Sequence, residues 1–448
     1  MLQADTVQLL CLTAASGVPL FSRGSSKQLP FSVIGSLNGV HMFGAGQGTV
    51  LSSCETERGS RVVWRVFQDS LMLIAVSGGG NKALSELHLR RLLENTWNCM
   101  VLVLGRDELA NVRNVERLKR ELRSCYRLID RLLERGGEDQ GFMGDLTHCA
   151  DCLVPAQPGI LQETLDSFTQ AADSEFGCLL IRGRVAVATD KWLRLAPQEV
   201  ILLSTLANSL SGVTSCDYPV FLPQGSPTVA HRLLCFQLLP SAVVCVLCGP
   251  SPSLHRVESE LVGSFWSPLV ETLRGCLEQA ERSSLPPSVS LRWDIQALLV
   301  INRETRRSVV ASSRASSQNP SEAPPLSSPA RRWELLRHFY TFAVTRYFTS
   351  EEVTTSPTLP ATPATPAAPA TQASSTPVTP HESLHEDFSK GFTHQPTQCY
   401  LVTDECKCYG LQTPQHQLYL LTDLSVPTFA LRSFATLTLS AVTGATGF

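Results

Sequence analysis

The stretch from Leu9 to Gly44 constrains this chain most. LLCLTAASGVPLFSR (9–23) places a run of apolar or small residues, Leu9–Ala15, ahead of the turn signal Ser16-Gly17. A short second strand follows at Pro19–Arg23. Leu29-Pro30 then opens LPFSVIGSLNGVHMFG, and proline near a first helical position suits a helix start. Phe31, Ile34, Leu37 and Met42 recur at roughly helical spacing. The stretch therefore reads as a strand hairpin followed by a helix.

The chain has 448 residues, too many for one core at about 150 residues per domain. A composition 43% hydrophobic and 17% charged marks a globular protein on the apolar side, which hints at surface covered by a partner. A net charge of −3 offers no basic field to nucleic acid or an anionic membrane. Several of the 15 cysteines, among them Cys11, Cys99, Cys178, Cys235, Cys245 and Cys248, sit in apolar runs, where they behave as small hydrophobes. MLQADTVQLL lacks a basic n-region and carries Asp5, so no secretory signal is expected, and reduced thiols follow. No apolar run approaches the 18 residues of a transmembrane helix.

The hairpin–helix–strands–helix plan recurs along the chain. In the first unit, strand-like segments at Thr49–Thr56 and Val62–Gln68 precede Leu71–Ser77, an almost wholly apolar run that suits a central strand. Two helical patterns close the unit, one through Leu84–Met100 and one over Asn111–Arg135. Gly136–Gly144 reads as a linker. The second unit reads as helix 158–172, hairpin Phe176–Ile181/Val185–Thr189, helix Pro197–Ser211, strands His231–Leu239 and Ala242–Cys248, and helix Leu254–Ala280. The third reads as hairpin Asp294–Asn302/Arg306–Ser312, helix 330–349, three strands within 398–421 and a helix Thr428–Thr443. The domains expected are 1–137, 145–284 and 290–448, the last with disordered insertions at 313–328 and 354–392.

The candidate chemistry is thin. His148, Cys149 and Cys152 (HCADC) begin a zinc set, but a structural site needs four ligands, usually as two spaced pairs. The other tight pair, Cys406-x-Cys408, lies far along the chain. GAGQG (44–48) lacks GxGxxG spacing and follows a helix; GGGNK (78–82) lacks the P-loop spacer and its Ser/Thr. No GxSxG elbow or HExxH occurs. No catalytic residue, cofactor or metal site is expected, and VRNVERLKREL (112–122) reads as a packing helix with a solvated charged face. A thiol or zinc-dependent enzyme using the Cys-rich loop is the alternative.

LLCLTAASGVPLFSR, QLPFSVIGSLNGVHMFG, VRNVERLKREL, DYPVFLPQGSPTVAHRLL, LCGPSPSL and LRSFATLTL together resemble the tri-longin planar cell polarity effectors, in the same order along the chain. The resemblance implies an α/β protein of three consecutive longin-like (roadblock-like) domains, each a mainly antiparallel sheet with flanking helices. It implies a non-catalytic scaffold subunit in the cytoplasm and cytoskeleton at the ciliary basal body. Its implied partners are Inturned, the WD-repeat planar cell polarity effector Wdpcp, a small Rab-like GTPase and intraflagellar transport proteins. The implied roles are cilium biogenesis, hedgehog signalling and planar polarity, with some pairs in the group acting in Rab-type GTPase exchange. Within the first unit, Leu20 and Phe21 on the short edge strand, with Val33, Val40 and Met42 on the helix, are the expected partner-binding residues, since edge strands and spare apolar helix faces pair.

The run Thr354–Pro380 has Leu359 and Val378 as its only large apolar residues, too few to offset the entropy of ordering it. Doubling a surface loop costs only about 0.6 kcal/mol. Deleting residues 356–379 should therefore leave folding and partner binding intact; a deletion chain that purifies as aggregate would show that the run packs against the fold.

Overall fold

A computed structural model describes residues 7–24, 29–57, 59–78, 84–134, 141–209, 212–312, 328–348 and 396–446. In the first domain, strands β1 (Val7–Thr13) and β2 (Pro19–Gly24) precede helix α1 (Phe31–Gly46), and β3 (Ser53–Glu55), β4 (Arg61–Phe67) and β5 (Leu71–Ser77) follow. Helices α2 (Glu86–Leu104), α3 (Arg106–Ala110), α4 (Val115–Glu121) and α5 (Tyr126–Glu134) close it. The sheet order is β2-β1-β5-β4-β3, antiparallel throughout. β5 is central and buried along its whole length, as its continuous apolar run requires. Gly17, at φ +65°, turns the β1–β2 hairpin, and a Cβ there would collide with the Asn38 side chain of α1.

A connecting strap carries α6 (Gly144–Thr147) and the two-residue strand β6 (Ala150–Asp151). The second domain contains α7 (Pro158–Ala171), β7 (Phe176–Ile181), β8 (Arg184–Ala188), α8 (Asp190–Leu193), α9 (Pro197–Ser209), β9 (Ser215–Leu222), β10 (Ser226–Leu239) and β11 (Ala242–Cys248), then α10 (Leu254–Arg256), α11 (Gly263–Trp266) and α12 (Val270–Arg282). The third contains β12 (Ile295–Asn302), β13 (Arg307–Ser312), α13 (Pro329–Arg346), β14 (Gln398–Val402), β15 (Lys407–Gln412), β16 (His416–Thr422) and α14 (Leu431–Thr446). Their sheets run β8-β7-β11-β10-β9 and β14-β15-β16-β12-β13-β6. Numbered within each domain, all three share one strand order: the hairpin's first strand and the last strand lie centrally and strands two and three lie at the two ends, with β6 added beyond strand two in the third sheet. The α/β plan expected from the sequence is therefore present three times.

Several elements differ from the sequence reading. The expected helix Leu254–Ala280 is broken into α10, a π turn, α11, a 3-10 turn at Ser267–Leu269 and α12. Pro268 lacks the N–H that a continuous helix would use. The helix over Asn111–Arg135 begins only at Val115, capped by Asn114 accepting from the Arg117 amide, and tightens to a 3-10 turn at Leu122–Cys125. Strand β9, SCDYPVFL, alternates, with Cys216, Tyr218, Val220 and Leu222 packed into the core, although it contains Pro219; proline is tolerated because the strand lies at the edge of its sheet. The insertions expected at 313–328 and 354–392 fall outside the described residues, apart from Ser328, which caps α13.

The three domains meet through α2 and the strap. α2 packs against β9, α9 and α6. It ends at Gly105, φ +81°, where a Cβ would fall 3.0 Å from the Phe221 ring of β9. Although the sequence places the linker at 136–144, Phe142, Met143 and Leu146 are buried, and Met143, Leu146 and Cys149 join the core beneath α13. β6 adds in parallel to β13, extending the third sheet. Asp151 accepts hydrogen bonds from the Met143 and Gly144 amides at 2.9 and 3.0 Å, folding the strap on itself. Arg337 of α13 forks onto Asp145 at 2.7 and 3.1 Å and donates to the Phe142 carbonyl at 3.0 Å. Asn95 of α2 donates to the Asp145 carbonyl at 3.2 Å. His148 meets Arg91 of α2 and lies 3.2 Å from Gln198 of α9. All three domains thus contribute to one buried polar junction.

Two predictions follow from this packing. Leu122 is fully buried, and Trp97 stacks on Phe67 with centroids 4.8 Å apart. Leu122→Ala should cost about 2–5 kcal/mol and Trp97→Ala about 3–5 kcal/mol in a denaturant melt; unchanged midpoints would place both outside the load of the core. The second concerns acid. Burial and the Arg91 charge hold His148 well below the ordinary histidine range, and burial with Arg337 pushes His88 down to about 4. The folded chain therefore keeps both rings neutral, whereas the unfolded chain protonates them near pH 6.5. This stability is complete above about pH 6.5 and falls as pH drops below it, by about 1.4 kcal/mol per pH unit for each excluded proton. Urea melts between pH 6.5 and 5 should show that loss, and the double variant His88→Gln, His148→Gln should show a flatter profile. An identical slope in variant and parent would refute the assignment.

Candidate partner-docking surface

The helix between the second and third strands of each sheet occurs three times, as α1, α9 and α13, and its surroundings differ. α9 is buried along nearly its whole length, Glu199–Ala207 and Ser209, between its own sheet and helices α2 and α5 of the first domain. α13 buries Arg332, Leu335, Leu336, Phe339, Tyr340, Ala343 and Val344 against the third sheet and the strap. α1 buries only Ile34, with Leu37 partly covered and the Trp64 Nε1 donating to the Leu37 carbonyl at 3.2 Å.

The outer face of α1 carries Val33, Val40 and Phe43, at intervals of seven and three, beside Gly35, Gly39 and Met42. Phe31 is 76% exposed, Phe43 72%, Val40 56% and Met42 44%. Val50, just beyond the helix, is also exposed. The sequence reading spaced Phe31, Ile34, Leu37 and Met42 along one stripe, with Met42 also near its margin; the inner face is Ile34, Leu37, Asn38 and His41, which turns Phe31 outward and leaves Met42 exposed. Phe31 and Phe43 therefore join the candidate surface although the sequence did not single them out. Their signal was an apolar content exceeding what one face of a helix can bury.

α1 is also a weak helix in its own right. It contains Gly35, Gly39, Gly44 and Gly46, each costing up to about 1 kcal/mol relative to alanine within a helix interior. It has no side-chain cap, no acidic residue in its first turn and no basic residue in its last. Packing must hold it, and its own sheet supplies little.

The five expected partner-binding residues divide. Val33, Val40 and Met42 lie on the exposed face. Leu20 and Phe21 are 5% and 6% exposed; Phe21 packs edge-on against Tyr126 of α5, 5.8 Å between centroids, and belongs to the core. β2 is an edge strand, but these two side chains point into the core. The adjacent Arg23 pairs with Asp130 and lies over the Tyr126 ring.

The residues considered for chemistry are held differently. Cys149 and Cys152 are buried, and burial pushes each thiol up to about 12, so both stay protonated and poorly nucleophilic at neutral pH. His148 is occupied by Arg91 and Gln198 in the junction. Among the described residues, no group of three His, Cys, Asp or Glu side chains is arranged to hold a metal ion. GAGQG forms the end of α1 and its turn, with Gly48 at φ +70°. Most of GGGNK lies outside the described residues. Among the described residues, no helix is long and apolar enough to cross a membrane.

The chain matches the profile described as the first longin domain of FUZ, MON1 and HPS1 over residues 7–132. It matches those of the second and third longin domains over 172–267 and 294–445. The chain belongs to this three-longin family. It is 48% identical over 444 residues to the protein fuzzy homolog of Xenopus tropicalis, covering 99% of each chain. It is 42% identical over 450 residues to the protein fuzzy homolog of Homo sapiens, covering 98% of this chain and 97% of that one. The three sheets described above are the three longin domains, and nothing in their geometry points to catalysis. In longin terms, the helices packed in the second and third domains are α9 and α13; the first domain's helix faces outward.

Proposed function

We propose that this three-longin chain is a non-catalytic planar cell polarity effector that pairs with Inturned through the outer face of α1. The observation that carries the reading is the contrast among the three equivalent helices. Where α9 and α13 are covered by other parts of the chain, α1 presents valine, methionine and phenylalanine to solvent. An apolar face of that kind on a glycine-rich helix suits close packing of a second protein. Covering it would also supply the packing that α1 lacks.

The wider reading rests on the resemblance of the whole chain to the planar polarity effectors. In it, the chain acts as a scaffold at the ciliary basal body in cytoplasm and cytoskeleton. It assembles with Wdpcp and a small Rab-like GTPase and supports cilium biogenesis, hedgehog signalling and planar polarity by recruiting intraflagellar transport proteins. Its part in GTPase regulation is that of a binding or exchange surface shared with its partner, with no catalytic group of its own.

Val40 and Met42 are exposed, so replacing them should leave the fold within about 0.5 kcal/mol of the parent. Val40→Asp and Met42→Asp should each reduce co-purification with Inturned at least tenfold while circular dichroism and melting stay native. Phe21→Asp should instead lower the melting temperature, because it places a charge in the core. Normal Inturned recovery by the Val40→Asp, Met42→Asp double variant would remove α1 from the interface.

A further inference from the structure

The helical run from Val115 to Glu134 sets Leu118, Leu122, Cys125, Ile129 and Leu132 into the core of the first domain. On the side left outside, the charges do not balance. Each carboxylate of the run already has a cation: Glu116 meets Lys119 at 2.8 Å, Glu121 meets Arg117 at 2.7 Å, Glu134 meets Arg131 at 3.7 Å, and Asp130 takes Arg23 from β2. Arg120, Arg123 and Arg127 are left over, and Arg113 stands just ahead of the Asn114 cap. All four are exposed, and among the described residues no hydrogen bond or ion pair engages their guanidinium groups. In a chain with a net charge of −3, they gather positive charge in one place.

The spacing makes them one stripe. Arg120, Arg123 and Arg127 recur at intervals of three and four, so they share the face opposite the buried leucines. At about 1.5 Å of rise per residue, successive arginines are rooted about 5–6 Å apart along the axis. An extended peptide repeats its side chains on one side about every 6.6 Å, so carboxylates at alternate positions can meet successive arginines. The buried side of the run holds the backbone beneath the stripe, which gives the arginines a rigid base.

The surroundings select among polyanions. No large apolar side chain on α3, α4 or α5 is exposed to enter a bilayer. No aromatic ring there is free to stack a base, since Tyr126 is partly buried with Arg23 over its ring. The stripe is also remote from α1. That helix covers the side of the first sheet carrying Leu10, Leu12, Met72 and Ile74, whereas the arginine-bearing run packs on the side carrying Leu9, Cys11, Leu71 and Leu73.

We propose that Arg120, Arg123 and Arg127, continued by Arg113, dock an extended acidic segment of a partner protein, with one carboxylate to each guanidinium. The planar guanidinium fork matches a carboxylate with two parallel hydrogen bonds. Each exposed pair is weak alone, so affinity comes from several engaged together and falls as salt rises. This contact is additional to the pairing through α1 and does not depend on it.

The probe is the peptide fluorescein-Glu-Ser-Glu-Ser-Glu-Ser-Glu-amide, titrated with the full chain by fluorescence anisotropy at low salt, with its lysine counterpart as control. Saturable binding is expected for the acidic peptide and none for the lysine peptide. Arg120→Glu, Arg123→Glu and Arg127→Glu combined should weaken binding at least tenfold while circular dichroism stays native, because all three side chains are exposed. The same charge change on exposed arginines of the second domain, Arg256→Glu, Arg274→Glu and Arg282→Glu, should leave affinity within about twofold. Arg120→Lys, Arg123→Lys and Arg127→Lys combined keep the charge but lose the fork, and should weaken binding severalfold. Vesicles of phosphatidylcholine and phosphatidylserine, and oligothymidylate, should not displace the peptide at matched charge. Absence of saturable binding, an equal loss in the second-domain variant, unchanged affinity in the lysine variant, or displacement by vesicles or oligothymidylate would overturn the proposal.

Discussion

The arrangement of the three domains depends on a buried ion pair. Arg337, from the third domain, forks onto Asp145 in the strap, and the two side chains are only 14% and 8% exposed. Removing one member of such a pair leaves an uncompensated charge, at a cost of about 3–5 kcal/mol, so its retention fixes geometry more than it adds net stability. Here the pair locks the strap under α13, and the strap in turn meets α2 through Asn95 and α9 through His148 and Gln198. A hydrophobic contact could slide; a bidentate pair with its carbonyl partners defines one register.

That lock explains why the repeated longin units are not alike at their surfaces. Once the strap covers α13 and the first domain covers α9, two of the three equivalent helices have spent their apolar faces inside the chain. The third, α1, retains its own. The exposed apolar surface hinted at by the low charge content is thus concentrated in part on one weak helix rather than spread evenly. The absence of a reactive thiol at the Cys-rich loop has the same origin, because Cys149 and Cys152 are buried by the strap's docking.

Much of the architecture was legible in the residues. The wholly apolar run Leu71–Ser77 could only be a central strand, and Arg182-Gly183-Arg184 and Pro240-Ser241 marked turns between adjacent strands. Long amphipathic stripes such as that of α2 announced their helices. The failures have different causes: Pro268 interrupts the helix Leu254–Ala280 locally, while other elements are defined by the strand they pair with. β9 needs β10 to be a strand despite Pro219, and β6 is two residues whose pairing to β13 no local pattern encodes. On α1 the stripe held at Ile34 and Leu37 and failed at Phe31, because both faces are apolar and periodicity alone could not fix the edge of the buried one.

The sequence by itself determined three α/β units, most of their strands though not β6 or β9, and the lack of any catalytic motif, because periodicity, turn chemistry and composition act over a few residues at a time. Tertiary structure alone decided which helix faces were covered, that Leu20 and Phe21 were core while Val33, Val40 and Met42 were surface, and that His148 served a junction. Those outcomes depend on contacts between residues 50 to nearly 200 positions apart, such as His148 with Gln198 and Arg337 with Asp145, whose geometry only the folded chain brings together.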